Sequence, residues 1–217
     1  MFVDFDGTIT DIDTFDALVR DAAGDAVWDA LDADLVAGRV SLREALSRQA
    51  AYVRCSKPAA LAFLETRAHV DPAFAPFVAA ARAHGADVRV VSSGIRSVIG
   101  PALARAGVDV PVLANDVDFA ATGWTMSFID DSANGHDKAA HVRAARSRGE
   151  ATVYVGDGIS DFEAALEADR RFVKKNRALE AYCRKRGLAC VSFTSFREIE
   201  SALFPHESKT NKPAGDS

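Results

Sequence analysis

The hydrophobic positions of this chain follow two rhythms. Short runs rich in β-branched and aromatic residues occur at 1–5, 87–92, 110–114 and 151–156, each followed by Gly, Ser, Asn or Asp. Runs of this kind predict buried parallel strands that end in functional loops. Between them, residues 72–84, 95–106 and 137–148 carry Ala, Leu, Val and Arg at the helical period. Strands alternating with helices predict an α/β fold with a parallel sheet.

One segment breaks the alternation. Residues 13–69 show only helical patterns, among them 25–36, 41–54 and 58–67, and Ser41 with Glu44 three positions on is a capping box. The pattern divides the chain into an α/β core over 1–12 and 70–204 and a helical cap over 13–69, inserted after the first strand. Residues 116–129 alternate in polarity around Thr122-Gly123 and predict a β-hairpin attached to the core. The polar stretch 205–217 predicts a disordered tail.

Composition narrows the function. The 217 residues are 48% hydrophobic, enough for one packed core and a second small one, and the net charge of -5 offers no basic footprint for nucleic acid. Basic runs at Arg170-Arg171, Lys174-Lys175 and Arg184-Lys185-Arg186 read as solvated helix or strand ends. Cys55, Cys183 and Cys190 are far apart, with no CxxC or zinc spacing, and read as reduced thiols. No apolar run approaches the roughly 20 residues of a membrane span. An acidic motif begins at Asp4, where a secretory leader would be basic and then apolar. The expectation is a soluble cytoplasmic protein, monomer or homodimer, without membrane or nucleic-acid partners.

Four motifs carry chemistry. Asp4-Phe5-Asp6-Gly7-Thr8 stands where the first strand ends. A carboxylate there can attack phosphorus, so Asp4 is the candidate nucleophile. Asp6, two residues on, is the candidate acid and base for the leaving alcohol and the attacking water. Gly7 lets the backbone approach a phosphate, and the N–H groups of the Gly7-Thr8 turn can bind its oxygens. Ser92-Ser93-Gly94 ends a second strand, where a hydroxyl and two N–H groups can hold the same phosphate at a helix start. Lys138, after Asn134-Gly135-His136-Asp137, can neutralise developing charge, and His136 reads as a loop histidine without a role. Gly156-Asp157-Gly158-Ile159-Ser160-Asp161 supplies carboxylates suited to Mg²⁺. The expected ligands are Asp4, the Asp6 backbone carbonyl and Asp157, with Asp161 as a ligand or an orienting partner. In an α/β sheet such strand ends converge on one point.

In this order the motifs resemble the haloacid dehalogenase superfamily, whose phosphatases show DxDGT, a strand-end Ser, a Lys and GDxxxD. The resemblance spans Met1 to about Leu203 and implies a Rossmann-like sheet and an Mg²⁺-dependent phosphoaspartate mechanism on a small phosphorylated metabolite. The insert between the first two motifs is similar to the type-I cap of the phosphoserine-phosphatase-like branch. Within that branch, Ser41-Leu42-Arg43-Glu44 with Arg48, the Asp157 motif with Glu163-Ala164-Ala165, and Tyr182-Cys183 with Phe193 and Phe196 resemble the methionine-salvage phosphatases acting on 2-hydroxy-3-keto-5-methylthiopentenyl-1-phosphate. Asp13 and Ala45 stand where phosphoserine phosphatases carry Glu and Arg. Asp11, Asp13, Arg43 and Arg48 are the polar candidates for reading the substrate beyond its phosphate, with Phe15 as an apolar wall. Alternatives are a phosphoserine phosphatase, a phosphotransferase or mutase of the same superfamily, and a non-catalytic binder. The last would be expected to lack one of Asp4, Asp6 or Asp157.

Overall fold

Alternate side chains of the central sheet point to opposite faces, and this sorts the core into two layers. The computed structural model describes residues 1–205. The strands are β1 (Phe2–Val3), β2 (Arg89–Ile95), β3 (Val112–Asp118), β4 (Thr125–Ser127), β5 (Val153–Gly156), β6 (Arg170–Lys174) and β7 (Val191–Phe193), in the spatial order β4-β3-β2-β1-β5-β6-β7. All pairs are parallel except the β3–β4 hairpin.

On one face Val3, Val90, Val155 and Phe172 pack against α5 (Phe74–Ala83), α6 (Arg96–Arg105) and α10 (Phe196–Leu203). On the other, Phe2, Val91, Tyr154 and Val173 meet α7 (Lys138–Ser147), α8 (Phe162–Glu167) and α9 (Ala178–Arg186). The two-residue period of a strand buried on both faces therefore fills both layers.

Between β1 and α5 lie α1 (Thr14–Ala23), α2 (Asp25–Val36), α3 (Leu42–Ala50) and α4 (Lys57–Glu65). Asp13, Ser41 and Ser56 cap α1, α3 and α4 by accepting from backbone N–H groups of the first turn. The segment leaves and returns through one clasp. Thr10 bridges Val70, Asp11 N–H donates to the His69 carbonyl, and Asp71 N–H donates to the Ile9 carbonyl. Phe15, Leu18, Leu46 and Leu64 form a third cluster that also takes in Ile95 and Val98 from the sheet side and Trp124 from the hairpin.

Several boundaries differ from the sequence expectations, each for a local reason. The helix expected over 41–54 stops at Ala50, because Trp124 N–H takes the Ala50 and Val53 carbonyls and its indole donates to Cys55 O at 2.8 Å. The hairpin is thus fixed to the helical segment as well as to the sheet edge. β2 continues past Ser92 to Ile95, so the helix after it starts at Arg96. β6, β7 and α8 to α10 carry no clear periodic signal; β6 is five residues long with basic residues at both ends. The expected tail over 205–217, apart from Pro205, lies outside the described residues. Among the described residues no helix is long and apolar enough to cross a membrane.

Phe196 is fully buried, with ring centroids 4.7 Å from Phe74, 5.3 Å from Phe77 and 5.6 Å from Phe193. Phe196→Ala should cost about 3–5 kcal/mol of unfolding free energy in urea titration. A loss below about 1 kcal/mol would show that α10 does not lock this layer.

Candidate active site

Three adjacent strands deliver three motifs to one place. β1 pairs with β2 on one side and β5 on the other, so Asp4, Ser92 and Asp157 emerge side by side at the carboxyl edge of the sheet. Lys138, the first residue of α7, reaches this point from above. Its buried ammonium donates to Asp4 Oδ1 at 2.6 Å, Asp161 Oδ1 at 2.7 Å and Ser160 Oγ at 2.9 Å. Those three bonds use all the protons an ammonium has. Burial works to lower the Lys138 pKa, but Asp161 and Asp4 together raise it above the ordinary lysine value.

Asp161 is fully committed. Its Oδ1 also accepts from Tyr154 OH at 2.7 Å, and Oδ2 accepts from the Asp157 and Gly158 N–H groups, both at 2.9 Å. With its acceptor sites filled, Asp161 orients the loop and Lys138 rather than offering a free oxygen. Asp157 differs, accepting one bond from Thr8 Oγ1 at 3.2 Å. Burial, then the Asp161 charge, pushes its carboxyl up to about 7. Burial and Asp161 likewise hold Asp4 well above the usual carboxylate range, against the pull of Lys138.

Asp4, Asp157 and Asp161 present carboxylate oxygens within 4.8 Å of one another. Asp4, buried, and Asp157, partly buried, each keep an oxygen without a hydrogen bond among the described residues, and only one ammonium offsets the three acids. A hard divalent cation suits this all-oxygen set, so the donors fit Mg²⁺.

Asp6 sits opposite. Its Oδ1 accepts from Thr14 N–H at 2.8 Å and Thr14 Oγ1 at 2.6 Å, while Oδ2 stays 3.5 Å from Ser92 Oγ. Burial raises its pKa against those Thr14 bonds, which favours a proton on the carboxyl. Gly94 makes this possible, because a Cβ there would lie 2.2 Å from Asp6 Oδ2. Gly7, at φ +69°, has a Cβ position only 2.4 Å from Asp157 Oδ2. Both glycines make room for carboxylates.

The sequence-predicted residues divide. Asp4, Asp6, Gly7, Asp13, Ser92, Ser93, Gly94 and Asp157 all border one cavity of about 490 Å³ between the sheet edge and α1 to α3. Thr8 is fully buried behind Asp157 and positions it. Gly94 N–H is already given to Ser92 Oγ at 2.9 Å, so the open helix start expected there is absent. Arg43 and Arg48 do not border the cavity. Arg43 donates to the Asp130 carbonyl and stacks over Phe128, pinning the 130–133 loop, and Arg48 pairs with Glu44 and Asp34 on the helix surface.

Other residues gain roles that single-sequence patterns did not signal. Asn115, fully buried, donates to the Ser93 carbonyl and accepts from Ile129 N–H. His136 is 1% exposed, with Nδ1 2.8 Å from the Ser92 carbonyl and Nε2 2.9 Å from His141 Nε2. Donation from Nδ1–H leaves His136 Nε2 to accept from His141. These two side chains fix the Ser92-Ser93 loop from behind. Asp16, Trp28, Asp32, Gln49 and Arg177 also border the cavity. Burial, with the charges of Asp6 and Asp32, lifts Asp16 to about 6.

His136 titrates at about 4, lowered from 6.5 chiefly by burial. A folded pKa below the unfolded one means protonation favours unfolding. This group should therefore cost up to about 3 kcal/mol of stability as pH falls from the unfolded value toward the folded one. Urea midpoints between neutral and acidic pH should fall more steeply for the wild type than for His136→Asn, since the buried carboxylates are common to both. Equal acid dependence would remove His136 from this role.

A family model described as haloacid dehalogenase-like hydrolase matches residues 1–166. Pdp3-interacting factor 1 of Schizosaccharomyces pombe is 32% identical, over 94% of this chain and 93% of that protein. Polyol phosphate phosphatase PYP1 of Saccharomyces cerevisiae is 29% identical, over 94% and 91%. A 2-hydroxy-3-keto-5-methylthiopentenyl-1-phosphate phosphatase of Exiguobacterium sibiricum is 28% identical, over 92% and 94%. In fold, the chain is similar to a phosphoserine phosphatase solved as a phospho-aspartyl intermediate analogue, with TM-score 0.71, 17% identity and coverage of 93% and 96%. Matched by the family model over most of its length and by full-length relatives, the chain belongs to the haloacid dehalogenase-like hydrolases.

Proposed function

We propose that this hydrolase of phosphoric monoesters works through a phosphorylated Asp4, with Mg²⁺ as cofactor and a small phosphorylated metabolite as substrate. The observation that carries the reading is the Lys138 ammonium, which fixes Asp4 and Asp161 in one buried network while Asp6 faces the same space with a raised pKa. Lys138 holds Asp4 by Oδ1, which leaves the other oxygen to attack phosphorus. As the ester oxygen leaves, Asp6 gives it a proton. Asp6 then takes a proton from the water that releases phosphate and regenerates Asp4. Ser92 and Ser93 border the same cavity, where the Ser92 hydroxyl would hold a phosphate oxygen. Mg²⁺ held by Asp4, Asp157 and the Asp6 backbone carbonyl would supply the positive charge that keeps Asp4 ionised and draws charge from the phosphoryl oxygens.

Residues 13–69 act in this reading as a cap, with α1 to α3 enclosing the leaving group. The named relatives act on a polyol phosphate and on 2-hydroxy-3-keto-5-methylthiopentenyl-1-phosphate, and a phosphate ester of comparable size suits the cavity.

Asp4→Asn should lower Mg²⁺-dependent turnover of p-nitrophenyl phosphate at least about a thousand-fold, and chelation should silence the wild type. Acid-quenched wild-type enzyme should carry a hydroxylamine-labile phosphoryl group on the Asp4 peptide. Wild-type turnover by Asp4→Asn, or a phosphoryl group on another residue, would sink the assignment.

A further inference from the structure

The helices that roof the cavity are held very unequally. α1 buries Phe15, Leu18 and Val19, α3 buries Leu46 and Ala50, and α4 behind them buries Ala60 and Leu64, all in the apolar cluster that includes Ile95, Val98 and Trp124 from the sheet side. Hydrogen bonds add to this at α1 and α3. Thr14 N–H donates to Asp6, Arg43 N–H donates to the Ala133 carbonyl at 2.9 Å, and Trp124 N–H is shared by the Ala50 and Val53 carbonyls. α2 is different: it buries no residue, and Trp28 alone of its side chains packs against the apolar cluster, only partly buried.

Charge at the surface holds α2 in place. Arg20 on α1 pairs with Asp25 at 2.5 Å and lies over the Trp28 ring, and Asp34 receives Arg39 at 2.7 Å and Arg48 at 3.6 Å. Pairs open to water in this way add little stability. Both ends of the helix are glycines in the left-handed region. Gly24, at φ +83°, joins α1 to α2, and Gly38, at φ +67°, stands two residues past the end of α2. No atom lies within 4 Å of either Cβ position, so space does not call for a glycine at these two places. Each gives the chain a joint with few steric limits.

α2 meets the cavity with Trp28, Asp32, Leu35 and Val36, which follow one another at the helical period. Val36 is 65% exposed, and Ile159, on the loop after β5 that carries Asp157, is 44% exposed. Both border the cavity, one from the helical side and one from the sheet side, and both would lose water by meeting. We infer that α2 is a lid, turning about Gly24 and Gly38 to set Val36 against Ile159 once a phosphate ester is bound, while α1, α3 and α4 stay fixed to the sheet. The movement is internal to the helical segment, because Thr14, Arg43 and Trp124 hold its other parts to the core. Such a lid keeps bulk water from the site while the phosphoryl group passes to Asp4. The inference rests on the phosphatase reading and adds the element that admits and encloses its substrate.

Amide hydrogen exchange read by mass spectrometry on the purified protein tests this. Without ligand, peptides from residues 25–36 should exchange at least about tenfold faster than those from 14–23, 42–50 and 57–65. With Mg²⁺ and beryllofluoride, which mimics a phosphoryl group on an aspartate, exchange in 25–36 should slow severalfold and the other three helices should stay as they were. Val36→Ser should lower kcat/KM for p-nitrophenyl phosphate severalfold and weaken that protection at an unchanged thermal midpoint, and Val36→Ile should keep both. Equal exchange in all four helices, slowing that spreads over all four, no slowing in 25–36, or wild-type kinetics in Val36→Ser would overturn the lid. Turnover of p-nitrophenyl phosphate separates the two levels: its absence in the wild type sinks the phosphatase reading, and its presence with any of those outcomes sinks the lid alone.

Discussion

One buried ammonium organises the acidic floor of the site. Lys138 joins Asp4 to Asp161, and Asp161 in turn accepts from Tyr154 and from the backbone that carries Asp157. Taking a lysine and two carboxylates out of water beside a partly buried third is expensive, and such a group is stable only when its hydrogen bonds are nearly complete. Here they are complete for Lys138 and Asp161 and open at Asp4 and Asp157, which border the cavity. The strain of the arrangement is thereby concentrated where a cation and a phosphate can relieve it.

The roof is tied to this floor through a single residue. Thr14, the first residue of α1, gives Asp6 both its backbone N–H and its hydroxyl. Asp6 on the sheet edge is therefore held by the helical segment that also borders the cavity. In the proposed reading, substrate recognition and proton transfer would share one structural joint, even though their residues are separated along the chain.

Much of the floor was legible in the sequence because each motif is a short run fixed by its own strand end. Asp4, Asp6, Ser92, Lys138 and Asp157 meet as the order of strands and helices implies. What escaped were residues whose value lies in tertiary contacts. Asn115 and His136 matter because they reach the Ser92-Ser93 carbonyls from outside the motif, and no local spacing announces that. Asp16, Asp32 and Gln49 look like ordinary helix residues until α1 to α3 turn them to one cavity. Arg43 and Arg48 differ for the opposite reason: long cations at the two ends of α3 found nearer partners in a loop carbonyl and in neighbouring acids.

The clasp between Thr10 and Val70 bears on how the chain folds. β1 pairs with β2 by setting Phe2 beside Arg89, across a long intervening stretch, so the middle of the sheet is a distant contact. Once Thr10 meets Val70, the open loop left between those strands is several times shorter, which trims about 1 kcal/mol from the entropy of closing it. Helices that assemble early would thus act as a splint, bringing the two halves of the sheet within reach before either strand has found its neighbour.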